Sequence, residues 1–200
     1  MKFRLPNLSA LVVPLVIACC APHGGPQSSG YLASFGGVAG QAPAGGLRDD
    51  VSYWDGDGVA GPPAIRINLH LQKAYFYRGE QLVGVSKIST GKEGHDTPAG
   101  NYRILDKRRQ HRSSLYGVFR DVATGQVVND DVDTTRDRTP PGCVFEGADM
   151  PNFMRFYQGI GMHSGYLPGY NASHGCVRMP DHMARKFFDN VAVGTPVVVE

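Results

Sequence analysis

Cysteine is scarce: the 200-residue sequence carries four. Two of them, Cys19 and Cys20, stand side by side near the N-terminus. The remaining pair, Cys143 and Cys176, offers at most one bridge, which is a poor disulfide framework. An excess of one charge is missing too. Lys and Arg number 20 against 18 Asp and Glu, a formal net charge of +2. The short basic cluster Lys107-Arg108-Arg109 reads as a solvated loop. That balance gives no electrostatic footprint for nucleic acid. Long apolar runs are absent as well. The stretch from Leu8 to Ala18 contains Pro14 and falls short of the roughly 20 residues needed to cross a bilayer core. Internal repeats and a regular alternation of helices with strands are also lacking, which argues against solenoids and doubly wound sheets.

What is there begins with a leader. Met1-Lys2-Phe3-Arg4 is a positive start, and the apolar run after it fits a secretory signal peptide over residues 1–19. Its end, Val16-Ile17-Ala18-Cys19, is similar to a bacterial lipobox, so Cys19 is the expected lipidation site; ordinary cleavage nearby is the alternative. Either way the mature chain is expected to be exported, periplasmic and, with lipid, membrane-anchored. Residues 20–63 are rich in Gly, Pro and Ala and carry few groups worth burying, so they read as a flexible tether. Asp55-Gly56-Asp57-Gly58 lacks the spacing and closing glutamate of a calcium loop and reads as a turn.

The ordered domain is expected over 64–200. Ala64 to Leu69 alternates apolar and polar residues as a half-buried strand does. Ala74-Tyr75-Phe76-Tyr77 and Leu82 to Ile88, joined through Arg78-Gly79-Glu80, suggest a hairpin. Asn101 to Leu105 and Val197 to Val199 read as further strands, and Leu115 to Phe119 and Gln126 to Val128 as short ones. Asn129 to Asp133 and Thr139 to Gly142 look like exposed loop. One helix is expected after residue 180, capped by Asp181, with Met183, Phe187, Phe188 and Val191 at helical spacing. The fold class is therefore mainly β, a sandwich or small barrel with one helix beside the site.

The chemistry concentrates in Met162-His163-Ser164-Gly165-Tyr166-Leu167-Pro168-Gly169-Tyr170-Asn171-Ala172-Ser173-His174-Gly175-Cys176-Val177-Arg178. Three readings compete. A tetrahedral zinc site needs ligand pairs two to four residues apart, and His174-x-Cys176 supplies one at best. A Cys143–Cys176 disulfide leaves the histidines without a role. Nucleophilic catalysis uses more of the residues. A histidine within hydrogen-bond reach can ionise the Cys176 thiol, and amides around Gly175 and Cys176 can face a developing oxyanion. On a strand, Arg178 shares the face of Cys176 and can grip a carboxylate. His70, His111 and His182 read as surface or structural residues, His95 as a residue that may approach the cleft, and Cys143 as a bystander thiol.

Ser173-His174-Gly175-Cys176-Val177-Arg178, preceded by Gly161-Met162-His163-Ser164-Gly165, resembles the signature of the L,D-transpeptidase (YkuD-type) catalytic domains. Ile65 through Lys92 and Thr97-Pro98-Ala99-Gly100 are similar to that family's opening strands and turn, and Gly194-Thr195-Pro196-Val197 resembles its end. The resemblance implies Cys176 as the acylated nucleophile and His163 as its base, oriented by the main-chain carbonyl of Ser164. It implies Ser173, His174 and Gly175 as residues shaping the oxyanion pocket, with Arg178 and Tyr166 toward substrate. It implies peptidoglycan stem peptides as substrate, a stem-peptide amine or a wall-linked protein as acceptor, 3→3 crosslinks as product, and neither metal nor organic cofactor. Hydrolysis of the same acyl-enzyme and a non-catalytic wall-binding module stay open as alternatives. The spacer between His163 and Cys176 is shorter than many members have, so residues 166–170 should form a compact loop.

Overall fold

The computed structural model describes residues 52–200. Cys19, the expected leader and most of the expected tether lie outside the described residues. In chain order the first strands are β1 (Tyr53–Trp54), β2 (Pro63–Asn68), β3 (Lys73–Arg78), β4 (Gln81–Lys87), β5 (Gly100–Arg103), β6 (Asp106–Arg108) and β7 (Arg112–Asp121). There follow β8 (Val127–Asp133), β9 (Cys143–Asp149), β10 (Phe153–Tyr157), β11 (Ile160–Ser164) and β12 (Val177–Met179). Helix α1 (Asp181–Asn190) and β13 (Pro196–Val199) complete the chain.

These strands make three sheets. Six strands run in the order β1-β4-β3-β2-β13-β5, four in the order β12-β11-β10-β6, and three in the order β8-β7-β9. In the first sheet the period-2 pattern decides the faces: Ile65 and Ile67 of β2 and Val197 and Val199 of β13 are buried, while Arg66 between them is exposed. Each such burial is worth roughly 1.5–3 kcal/mol. Met154 and Phe156 of β10, Met162 of β11, and Met183 and Phe187 of α1 join the same apolar cluster. The hydrophobic core thus joins the six- and four-stranded sheets through the helix. The expected mainly β architecture with one helix is what the described residues adopt.

Four expectations change. Order begins before residue 64: β1 pairs with β4, and Trp54 packs edge-on against Phe76 at 5.0 Å and against Phe187 at 6.1 Å. One tryptophan among glycines and aspartates carries enough apolar area to draw its segment onto the body. The strand expected at 126–128 runs on through residues 129–133, which form the rest of β8 rather than a loop, because β7 supplies backbone partners even though the first five side chains of β8 are exposed. Strands β6, β9, β10, β11 and β12 are present where no alternation advertised them. Finally, Asp181 is the first helical residue, Pro180 stands at the cap, and the cap makes no side-chain hydrogen bond. The carboxylate of Asp181 bonds Ser164 and Arg185 instead.

Candidate functional site

Strands β11 and β12 pair in parallel, Met162 opposite Val177 and His163 opposite Arg178. One step back, that register sets Cys176 beside Gly161, and the Gly161 amide is hydrogen-bonded to the sulfur. Side chains two apart on a strand share a face, as do register partners on neighbouring strands. Hence His163, Cys176 and Arg178 present to one side, and all three line the same cavity of about 310 Å³. Gly161 must be glycine here, since a Cβ would lie 2.6 Å from the Phe153 ring and 2.7 Å from the Met154 carbonyl oxygen.

The His163 ring is buried, and its Nδ1 lies 2.8 Å from the Ser164 carbonyl oxygen. A carbonyl only accepts, so Nδ1 carries the proton and Nε2 keeps its lone pair. Burial, with smaller repulsion from Arg178 and His111, holds the imidazole down to about 4, although the Ser164 hydrogen bond works the other way. The Cys176 side chain is half-buried. Burial pushes its thiol up, against the Gly161 amide and the Arg178 charge, which pull it down. The expectation of a sulfur already ionised by its neighbouring imidazole is therefore not met at rest. Both groups are neutral near pH 7, and proton transfer belongs to the reaction itself.

Segment 88–97 is the platform under the cysteine loop. The Ala172 and Ser173 amides donate to the Thr90 carbonyl, both at 3.0 Å, and the Ser89 hydroxyl donates to the Tyr170 carbonyl at 2.6 Å. Thr97 Oγ1 donates to the Gly175 carbonyl at 2.7 Å and accepts from the Gly91 amide at 3.0 Å. The Ser173 hydroxyl donates to the Cys176 carbonyl and accepts from the Gly175 amide at 3.1 Å. Ser173 thus shapes the turn, and it occupies the Gly175 amide that the oxyanion reading had counted. Gly175 has φ of 109°, a conformation that favours glycine, and lies against Ile160.

The other expected residues divide. His174 lines the cavity, stacks on Tyr116 of β7 at 4.3 Å, meets His95 at 4.7 Å, and approaches Asp131 of β8 with Nε2 at 3.5 Å. Burial lowers it to about 4 as well. Arg178 is buried, donates Nη2 to the Ala172 carbonyl at 3.3 Å and packs its stem on Gly165, so it also holds the loop. Tyr166 stands on the 165–176 loop and is not among the residues lining the cavity, a correction to its expected place beside substrate. The Gly165 amide donates to the Met179 carbonyl at 2.9 Å, carrying the β11–β12 pairing one residue past the strand before the loop begins. Cys143 and Cys176 are both free thiols, which removes the disulfide reading. Among the described residues no three His, Cys, Asp or Glu side chains converge as a metal site would require.

Two residues were missed or underrated. His111, read as a surface or structural residue, stacks on Phe153 at 4.3 Å and lines the cavity that holds Cys176. Asn152 is buried with φ of 57°, an unusual conformation for a residue with a side chain. Its Nδ2 donates to Ser164 Oγ at 2.9 Å, and Ser164 Oγ donates to Asp181 Oδ1 at 3.0 Å. The Ser164 amide donates to the Pro151 carbonyl at 2.8 Å. Ser164 is therefore gripped on three sides, and its carbonyl, the acceptor for His163, has little freedom. Sequence offered no signal for Asn152, because the contact joins the turn before β10 to strand β11 and helix α1. Asn152→Ala is expected to slow acylation of Cys176 by up to about 10²-fold, as a displaced catalytic group does. Ring ¹⁵N shifts should then show His163 losing its fixed tautomer, which a purely structural role would leave unchanged.

The fold has counterparts among known proteins. The model of the L,D-transpeptidase catalytic domain (YkuD) family matches residues 62–199. An L,D-transpeptidase from Mycobacterium smegmatis superimposes with a TM-score of 0.51 at 18% identity, covering 69% of this chain and 58% of that one. L,D-transpeptidase 1 of Mycobacterium tuberculosis gives 0.50 at 20% identity, with 69% and 61% covered. An L,D-transpeptidase from Xylanimonas cellulosilytica gives 0.51 at 21%, with 72% and 62% covered. This chain therefore spans about three fifths of the length of those proteins, and at such identities the likeness is one of fold. No curated protein matches the sequence. With the family model spanning most of the described residues, the chain belongs to the L,D-transpeptidase catalytic domain (YkuD) family.

Proposed function

We propose that this domain is a cysteine-dependent peptidoglycan L,D-transpeptidase. The observation that carries the reading is the His163 Nδ1–H bond to the Ser164 carbonyl, which leaves the lone pair on Nε2 of a ring lining the cavity that also holds Cys176. His163 Nε2 takes the thiol proton as sulfur attacks the carbonyl of the third residue of a stem tetrapeptide, commonly diaminopimelate. The oxyanion falls to the Cys176 amide and to the Tyr116 phenol, whose proton burial retains. The tetrahedral intermediate collapses with the C–N bond breaking, and His163 gives its proton to departing D-alanine. A second amine then attacks the thioester, releases the sulfur and yields a 3→3 crosslink or a peptide-linked protein. Arg178 supplies positive charge for a donor carboxylate at the cavity wall. Export and a lipid anchor at Cys19 extend the proposal, since both would bring the site to the wall.

The test is incubation of the full chain with tetrapeptide-bearing muropeptides, followed by mass analysis. Crosslinked dimers and free D-alanine are expected. Shortened tripeptides without dimers would make water the acceptor, and unchanged material would overturn the enzymatic reading.

A further inference from the structure

The backbone at the nucleophile leaves one polar group over. The Gly175 amide donates to Ser173 Oγ at 3.1 Å, and the Cys176 carbonyl accepts from the same hydroxyl. The Gly175 carbonyl accepts from Thr97 Oγ1 at 2.7 Å. Of the four backbone polar groups on these two residues, the Cys176 amide is left with no acceptor among the described residues. Gly175 is buried and Cys176 half-buried at the cavity wall, where a leftover backbone donor is rare.

The residue that aims this amide stands on the 88–97 platform. A trans peptide is planar, so its C=O and N–H point in opposite directions. Whatever fixes the Gly175 carbonyl therefore fixes the Cys176 N–H as well. Thr97 does so with a hydroxyl that has no freedom of its own. It is buried, and the Gly91 amide donates to it at 3.0 Å, which leaves its proton to the Gly175 carbonyl. Gly91 in turn admits no side chain, since a Cβ would lie 1.9 Å from the His95 carbonyl oxygen. Cys176 and Ser173 line the cavity and Thr97 does not. The carbonyl thus faces the platform, and the amide faces the side that takes substrate.

We propose that Thr97 is a positioning residue for acylation: its hydroxyl, acting through the Gly175 carbonyl, aims the Cys176 amide at the oxyanion. This rests on the acyl-transfer reading above. As sulfur bonds the donor carbonyl carbon, the π pair moves onto oxygen and meets the Cys176 N–H. The pair returns when the C–N bond breaks. The sulfur itself is served by other groups, namely the Gly161 amide, the Gly159 carbonyl and the Arg178 charge. Thr97 bonds none of them. It should therefore govern charge stabilisation and leave thiol reactivity alone.

The experiment follows two reactions of Cys176 in the full chain and in its Thr97→Val and Thr97→Ser variants. Acylation by a stem tetrapeptide, read by intact mass, passes through an oxyanion. Alkylation by iodoacetamide, a substitution at saturated carbon, does not. Thr97→Val should slow acylation by about 10²-fold, the scale of losing one oxyanion donor, with alkylation unchanged. Thr97→Ser, which keeps the hydroxyl, should restore most of the acylation rate. Unchanged acylation in the valine variant, alkylation falling in step with acylation, or a serine variant as slow as valine would overturn the assignment. Thr97→Val strands the Gly175 carbonyl and the Gly91 amide, so its melting temperature should drop. Should it fail to fold, the wild type and Thr97→Ser carry the test. In the hemithioacetal formed with a peptide aldehyde, whose oxygen lies where the oxyanion forms, the Cys176 amide proton should move downfield in both. A stationary one would overturn the assignment. Wild type that is alkylated but never acylated would instead remove the acyl-transfer reading beneath it.

Discussion

Replacing Cys176 with serine should eliminate the covalent intermediate, lowering donor turnover by on the order of 10⁴-fold or more. The reason lies in how little the site does to prepare its nucleophile. His163 is a weak base, held to about 4, and the surrounding protein raises the thiol rather than ionising it. Sulfur tolerates this because it is intrinsically nucleophilic and gives up its proton far more readily than a hydroxyl does. An oxygen at the same position would need a stronger base than this imidazole. The fold should not suffer. The side chain is half-buried, its neighbours are backbone groups of Gly159 and Gly161, and serine is close in size. Intact-mass spectra after mixing with donor, together with a melting curve, check both halves. Full turnover with an unchanged melting transition would show that Cys176 is not the nucleophile.

Removal of the base should cost almost as much: His163→Gln is expected to slow acylation by about 10²–10⁴-fold. The pH profile of the intact protein tests the same residue more sharply. The base works only when unprotonated, so kcat/KM should fall as pH drops through the His163 value of about 4 and be flat above it toward neutrality. On the alkaline side the raised thiol keeps its proton beyond the usual cysteine range, so the plateau should extend above neutral pH. An acid limb between 6 and 7 would mean an imidazole much less enclosed than this one, or an ion pair formed before substrate arrives. Thiol alkylation across pH reads the sulfur separately and should show slow modification at neutrality that climbs only in alkali.

How far the sequence carried differs from one part of the molecule to the next. Strands β2, β3 and β13 were readable because each buries one face, so Ile65, Ile67, Phe76, Val197 and Val199 fall in step with the pleat. Strands β11 and β12 were not, because both of their faces are covered: Met162, His163 and Ser164, and Val177, Arg178 and Met179, are all buried. A fully enclosed strand shows no alternation. β8 failed for the opposite reason, with Val127 to Asp131 all facing solvent. In the site, Cys176, His163 and the Ser164 carbonyl could be named from a local motif and its resemblance. Thr97 and Gly91 were noticed as parts of strand-like signatures, yet their main work is to hold the loop before Cys176. Asn152 and His111 gave no sign, because each acquires its role from partners far away in the chain.

The parallel pairing of β11 with β12 has an evolutionary corollary. His163 and Cys176 are aligned by their strands, and the returning chain is pinned at Tyr170, Ala172 and Ser173 to the 89–90 segment. The tip at Leu167, Pro168 and Gly169 is left outside that clamp, so insertions there could lengthen the rim of the cavity without shifting the reactive atoms. Natural variation, or deliberate grafting of foreign loops at this point, can therefore diversify partner choice while the chemistry is inherited unaltered.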